Sequence, residues 1–212
     1  MDISSSKEVI LKKIRKALSE STPLPFPQSE GNSFLYQPPQ QELEIQFAEE
    51  FSKLQGKFAF CLTVAELTVQ LAALLEEKNW TRLFCNEQAI RQMLGTAIDD
   101  KMYDTTLADC DASITTCETL VARTGSIVLS AAGASGRTVS VYAPVHICIA
   151  FTAQLVYDIK DALQAIKEKY QEQMPSLISF ATGPSRTADI EKTLVTGVHG
   201  PKEVYLFLVD HI

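Results

Sequence analysis

Residues 58–94 read FAFCLTVAELTVQLAALLEEKNWTRLFCNEQAIRQML, and their pattern decides the fold. Phe58 to Leu62 is a short apolar strand. Thr63 and Glu66 then form a capping box, in which hydroxyl and carboxylate satisfy the first free amides of a helix over Val64 to Lys78. Thr81 to Cys85 is a second strand, and Glu87 to Leu94 a second helix closed by Gly95. Short apolar strands alternating with amphipathic helices predict a mostly parallel sheet with helices on both faces, an α/β domain of three layers, α/β/α. Asn86-Glu87-Gln88 follows the second strand. Neither a dinucleotide-binding glycine fingerprint nor a Walker loop is therefore available at these strand-to-helix turns.

Upstream, Glu42 to Gln55 is a helix with Leu43, Phe47, Phe51 and Leu54 on one face and Gly56 as its stop. Before it, Thr22 to Gln41 carries Pro23, Pro25, Pro27, Pro38 and Pro39 with almost no charge. This is an extended arm. Phe26, Phe34, Leu35 and Tyr36 make it too apolar for a free linker, so it is expected to lie across the domain or a partner, and a homodimer through it is compatible with the sequence. Ser5 to Glu20 reads as an amphipathic helix opened by a Ser5–Glu8 capping box, with Lys7, Lys12, Lys13, Arg15 and Lys16 on its polar face. A solvated face explains these cations better than a membrane or partner helix does. The division is residues 1–55 for helix, arm and second helix, and 56–212 for the α/β domain.

Downstream, Ala112 to Thr115 and Ser126 to Ser130 are strands, with a helical turn or two over Cys117 to Arg123 between them. Ala131 to Gly136, AAGASG, reads as a turn of small residues. Pro144 divides Arg137 to Phe151 into a strand, a kink and a second strand from Ile147. Tyr157 to Gln173 is a helix with Ile159, Leu163, Ile166 and Tyr170 inward. Leu177 to Ala181 and Val204 to Val209 complete the strands.

The 212 residues are 46% hydrophobic, enough for one α/β domain and an extension. A net charge of −7 argues against nucleic-acid and anionic-membrane surfaces. No apolar run approaches the ~20 residues of a membrane span, and the N-terminus lacks the core of a signal peptide, so the expected location is cytoplasmic. Cys61, Cys85, Cys110, Cys117 and Cys148 are too dispersed for a zinc or iron–sulfur motif, and no metal is expected in the chain. Cys61, Cys85 and Cys148 sit in apolar runs as reduced core residues.

The most demanding stretch for the backbone is residues 183–201, GPSRTADIEKTLVTGVHGP. Gly183 and Pro184 stop a strand, Ser185 or Thr187 can cap a short helix, and Asp189 and Glu191 fall in its first turn, where acids suit the dipole. Gly197, His199, Gly200 and Pro201 form a second turn. Ser185, Arg186 and Thr187 with exposed amides would make an anion site, yet capping alone accounts for the same residues. His199 reads as exposed and titrating near neutrality. His146, in an apolar strand, reads as a core histidine ahead of a functional one.

The runs GPSRTADIE and GVHGP, Ala122-Arg123-Thr124-Gly125-Ser126, and Arg137-x-x-Ser140-x-x-x-Pro144-x-His146 together resemble the lactate utilization protein C family, built on the LUD domain. Where that family commonly carries an acid before its Thr-Gly pair, this chain has Arg123. The resemblance implies a fold like those of sugar-phosphate isomerases and coenzyme A transferases. It also implies a cluster-free, ligand-binding or assembly component of a cytosolic L-lactate-oxidising system, beside iron–sulfur subunits that carry the electrons. The alternative is a free-standing enzyme of that fold acting on a small carboxylate or phosphate ester, with His199, Asp189 and Glu191 as catalytic candidates. Either way, Thr124, Gly125, Ser126, Gly183, Ser185, Thr187, Gly197 and Gly200 are expected to converge on one cleft for a small anion, with Arg186 or Arg137 as counter-charge and His199 at its edge.

Overall fold

The computed structural model describes residues 3–19, 38–39, 41–102, 105–188 and 194–210. It divides into two compact units, residues 1–38 and 39–212. In the first, α1 runs from Ile3 to Ser19. It starts ahead of Ser5, so the expected Ser5–Glu8 box is not the helix start. Apart from 38, 39 and 41, the arm read over Thr22 to Gln41 lies outside the described residues.

In the larger unit the elements are α2 (Leu43–Lys53), β1 (Lys57–Cys61), α3 (Val64–Lys78), β2 (Leu83–Phe84), α4 (Gln88–Leu94), α5 (Thr96–Asp99), β3 (Ala112–Thr115), β4 (Thr119–Val121) and β5 (Ser126–Ser130). They continue with α6 (Val139–Tyr142), β6 (Val145–Phe151), β7 (Leu155–Val156), α7 (Ile159–Tyr170), β8 (Ile178–Ala181), β9 (Arg186–Ala188), β10 (Leu194–Thr196) and β11 (Glu203–Val209). A five-stranded sheet of order β1-β11-β6-β3-β2 is parallel throughout. The predicted mostly parallel sheet with packed helices is present.

Helix α3 starts where the sequence places it, with Thr63 Oγ1 accepting from the Glu66 amide and Glu66 returning a carboxylate to the Leu62 amide. Its Leu67, Leu71 and Leu75 pack with α4 against one face of the sheet, on Ile147, Ile149, Phe207 and Val209. The alternate residues of the same strands, Cys148, Ala150, Leu206 and Leu208, face the other way. There they meet Phe47 and Phe51 of α2, both fully buried, and Leu120 and Ile127 of a second sheet. Burying each phenylalanine contributes about 1.5–3 kcal/mol, and the two rings stack at 5.4 Å.

That second sheet, of order β7-β4-β5-β8, is mixed, and α7 closes its far face through Ala162 and Ile166. Three local expectations change here. Residues 119–121 are a strand and only Ala122–Thr124 a 3-10 turn, because buried Leu120 and Val121 pair with β5. The segment before Pro144 is the short helix α6 rather than a strand. In α7 the small Ala162 is buried and Leu163 is turned outward, 40% exposed.

Candidate functional site

The signature segments do meet, and the place is the C-terminal end of α2. Gly125 follows the Ala122–Thr124 turn at φ +59°, and a Cβ there would stand 2.4 Å from the Phe51 amide nitrogen. Gly183, at φ +85°, would put its Cβ 2.6 Å from the Leu54 carbonyl oxygen. Both glycines are thus required by a helix end lying on the backbone, and both adopt the left-handed region that glycine tolerates. A hydroxyl chain ties the turns together: Thr124 Oγ1 lies 2.7 Å from Ser126 Oγ, which lies 2.8 Å from Thr182 Oγ1. The Arg186 guanidinium donates to the Leu54 carbonyl, a cation at the negative end of a helix.

Of the short helix expected after Pro184, residues 186–188 are instead the strand β9, antiparallel to β10, in which Arg186 pairs with Thr196 and Thr187 with Val195, while residues 189–193 lie outside the described residues. β-Branched residues at Thr187, Val195 and Thr196 favour extended backbone over capped helix. The Ser185 amide donates to the Pro201 carbonyl and its carbonyl accepts from the Gly197 amide, which closes the hairpin's base. Gly200 rests against Ser185, with a Cβ position 3.0 Å from that of the serine. His199 is exposed beside it. Arg137 donates to Ser176 Oγ at 2.6 Å rather than to the signature cluster. Asp189 and Glu191 lie outside the described residues. Arg123, the departure from the family pattern, donates at 2.6 Å to Asp158, the N-cap of α7.

A second polar constellation sits at the carboxyl ends of β2 and β3, where open parallel sheets hold ligands. It is a cavity of about 110 Å³ roofed by residues 133–140. Glu87, just past β2, accepts from the Thr116 amide at 3.1 Å, the Thr116 hydroxyl at 2.5 Å and the Ser135 hydroxyl at 2.6 Å. One carboxylate thereby joins the β2–α4 turn, the end of β3 and the small-residue loop. Glu118, on another wall, accepts from Ser130 at 2.5 Å, Lys169 at 2.7 Å and Tyr170 at 2.7 Å. Its burial opposes ionisation, but the ammonium and the two hydroxyls outweigh that and hold its pKa below the ordinary value. Ser140 lines the same cavity.

Beneath the cavity the floor is polar and buried. Thr115 Oγ1 lies 2.8 Å from His146 Nε2, and Ser113 Oγ donates to the Val139 carbonyl at 2.8 Å. His146 is fully buried, and desolvation lowers its pKa to about 4, so the ring is neutral at physiological pH. Its expected core role is what the geometry shows. Cys61, Cys85, Cys110 and Cys148 are buried free thiols, and burial pushes Cys61 and Cys85 up to about 11. Among the described residues no three His, Cys, Asp or Glu side chains gather into a metal-holding group.

Sequence reading passed over Glu87, Thr115, Thr116, Glu118, Ser135, Lys169 and Tyr170. One signal was available: Glu87 directly follows a strand in a βα unit, the position from which α/β sheets present ligand-binding groups. Glu118, Lys169 and Tyr170 come together across 51 residues of chain, and nothing local announces that.

A family model described as LUD domain matches residues 5–209. The chain is 38% identical over 103 residues to lactate utilization protein C of a Geobacillus species, covering 47% of this chain and 43% of that one. It is 33% identical over 128 residues to lactate utilization protein C 1 of Bacillus mycoides, covering 59% and 55%. The matched segments span about half the length of these relatives. A crystal structure of a DUF162 family protein from Deinococcus radiodurans superposes with a TM-score of 0.58 at 21% identity, over 79% of this chain and 96% of that one. The structural likeness concerns the fold.

Proposed function

This chain belongs to the LUD domain family, and on that premise we propose that it serves L-lactate utilization, the oxidation of L-lactate to pyruvate. Its role in this reading is that of a cluster-free, ligand-binding or assembly subunit working in the cytoplasm beside iron–sulfur partners. The names of the relatives support the system, and the cavity between Glu87 and Glu118 is the observation that carries the ligand-binding role. At about 110 Å³ it exceeds the ~30 Å³ share of one liquid water several-fold and suits a molecule of a few heavy atoms. Of the two ends of a 2-hydroxy acid, the hydroxyl matches Glu87, taking the donor position now held by Ser135. The carboxylate would share the Lys169 ammonium with Glu118 at the rim and meet the Ser140 hydroxyl. The electron carriers are assigned to the partner subunits because the five cysteines of this chain are not gathered into a ligand set.

The test is a deletion of the gene in the native organism. Growth on L-lactate should be lost and growth on pyruvate kept, with iron recovered alongside a tagged copy of the chain restored to that strain. Unimpaired growth on L-lactate would remove the reading.

A further inference from the structure

The parallel sheet ends at β1, and among the described residues β1 pairs only with β11. Among the described residues no strand pairs with its other edge, and the polar contacts there are side chains of α3, Gln70 donating to the Phe60 carbonyl and Glu66 accepting from the Leu62 amide. Natural sheets blunt such edges with lysine, proline, a bulge or a covering element. The strand here, KFAFC, has a single lysine at its start, and that lysine is held by Glu203 and Tyr205. Apolar groups stand exposed around it: Phe60 at 39%, Leu62 at 59% and, on α2, Ile45 at 49%.

Both flanks of this edge are grooved. On the α2 side a groove of about 770 Å³ has Ile45, Ala48, Phe58 and Phe60 as its floor. Its remaining lining residues are Glu42, Glu44, Glu49 and Asp210, with no lysine or arginine among them. On the α3 side a second groove, of about 370 Å³, runs past Ala59, Ala73 and Leu74 with Glu77 at its rim. Side chains of a strand added to β1 would point alternately to the two faces, and each face already has a trough to receive them.

We propose that the free edge of β1 is the docking surface for an extended segment of a partner protein, one that alternates apolar with Lys or Arg side chains and joins the sheet as a sixth strand. Main-chain hydrogen bonds to β1 give the affinity, and the grooves with their acidic rim select the sequence. A second copy of this chain suits the edge poorly. Antiparallel β1–β1 pairing about a two-fold axis would bring the two α2-side acidic rims together on one face. The inference stands on the edge alone and does not depend on the lactate reading.

The probe is a synthetic peptide of alternating lysine and valine, about eight residues long to match a strand, added to the full chain. Amide hydrogen exchange should slow at Lys57 to Cys61 in proportion to peptide binding. The same peptide with glutamate for lysine, or with a central proline, should do neither. The double variant Glu42→Lys, Glu49→Lys alters two exposed rim positions and should bind the lysine peptide at least about tenfold more weakly at low salt, while the cation it places at the N-cap of α2 lowers the unfolding temperature only slightly. Binding without protection of β1, or binding that the double variant leaves intact, would overturn the proposal. So would a concentration-dependent dimer that protects β1 with no peptide present, which would make a second copy the occupant.

Discussion

The hairpin base at Ser185 and Arg186 and the cavity at Glu87 are both rich in hydroxyls and charge, yet the two regions use them differently. At the hairpin base the polar groups that tie the turns together bond to protein. The Thr124–Ser126–Thr182 hydroxyls bond one another, Arg186 holds the Leu54 carbonyl, and Gly125 and Gly183 exist so that α2 can touch the backbone. At the cavity the carboxylates also have partners, but those partners line open volume rather than a packed helix. Unusual composition can mark a clasp, and an ordinary composition can hold a site. Changes at the clasp should therefore register in stability, and changes at the cavity in ligand-dependent behaviour.

The sharpest blow to that contrast would come from Gly125→Ala. The left-handed backbone costs a non-glycine residue about 1–2 kcal/mol, and forcing α2 away from a Cβ only 2.4 Å from the Phe51 nitrogen costs about 1–3 kcal/mol more. Denaturant unfolding should show that loss. A variant as stable as the parent would mean that α2 does not need this contact.

Next in size is an effect of pH that belongs to the cavity floor. His146 has its folded pKa lowered by desolvation from 6.5 to about 4. As pH falls below 6.5 the unfolded chain takes up a proton that the folded chain refuses until about pH 4, so stability declines across that window. At about 1.4 kcal/mol per pH unit the loss approaches about 3 kcal/mol. Unfolding free energies measured from pH 7 to 4 should slope accordingly, and His146→Gln should flatten the slope. An unchanged slope in the variant would place the titration elsewhere.

Arg186→Ala comes third. The guanidinium is exposed, so its bond to the Leu54 carbonyl contributes about 0.5–1.5 kcal/mol, and thermal unfolding should move down by that amount. A variant of unchanged stability that instead loses affinity for a small carboxylate would turn the clasp back into the anion site its sequence allows.

The contrast also explains what could be read from the chain. Helix α3 was legible in full, because Thr63, Glu66, Leu67, Leu71 and Leu75 each act locally. The β1, β3 and β11 strands were legible for the same reason. Residues 186–188 were misread as a helix because proline, serine and threonine after glycine satisfy the rules for a helix cap. What overrides those rules is pairing with Leu194–Thr196, a partner beyond the span of any local pattern. The second sheet was invisible as such, since Ser126–Ser130 and Ile178–Ala181 look like any other strands and only their partners separate them from the first. His146 could be placed in the core from its apolar neighbours. Its hydroxyl partner Thr115 could not, because the two are 31 residues apart.

The smallest effect on stability, and the most direct test of the cavity, belongs to Glu87→Gln. The amide keeps one oxygen to accept from the Thr116 amide and the Ser135 hydroxyl, and its nitrogen can donate to the Thr116 hydroxyl in place of accepting from it. The network therefore survives with altered polarity. The cost should be no more than about 1 kcal/mol, within the range for a single hydrogen bond. The negative charge is gone, however, and with it the strong acceptor that a ligand hydroxyl would meet. Complementing the deletion strain with Glu87→Gln should leave the protein folded and abundant while growth on L-lactate remains impaired. Full restoration of growth by a folded Glu87→Gln chain would show that the cavity does not hold the ligand, and would leave the two regions alike in being structural.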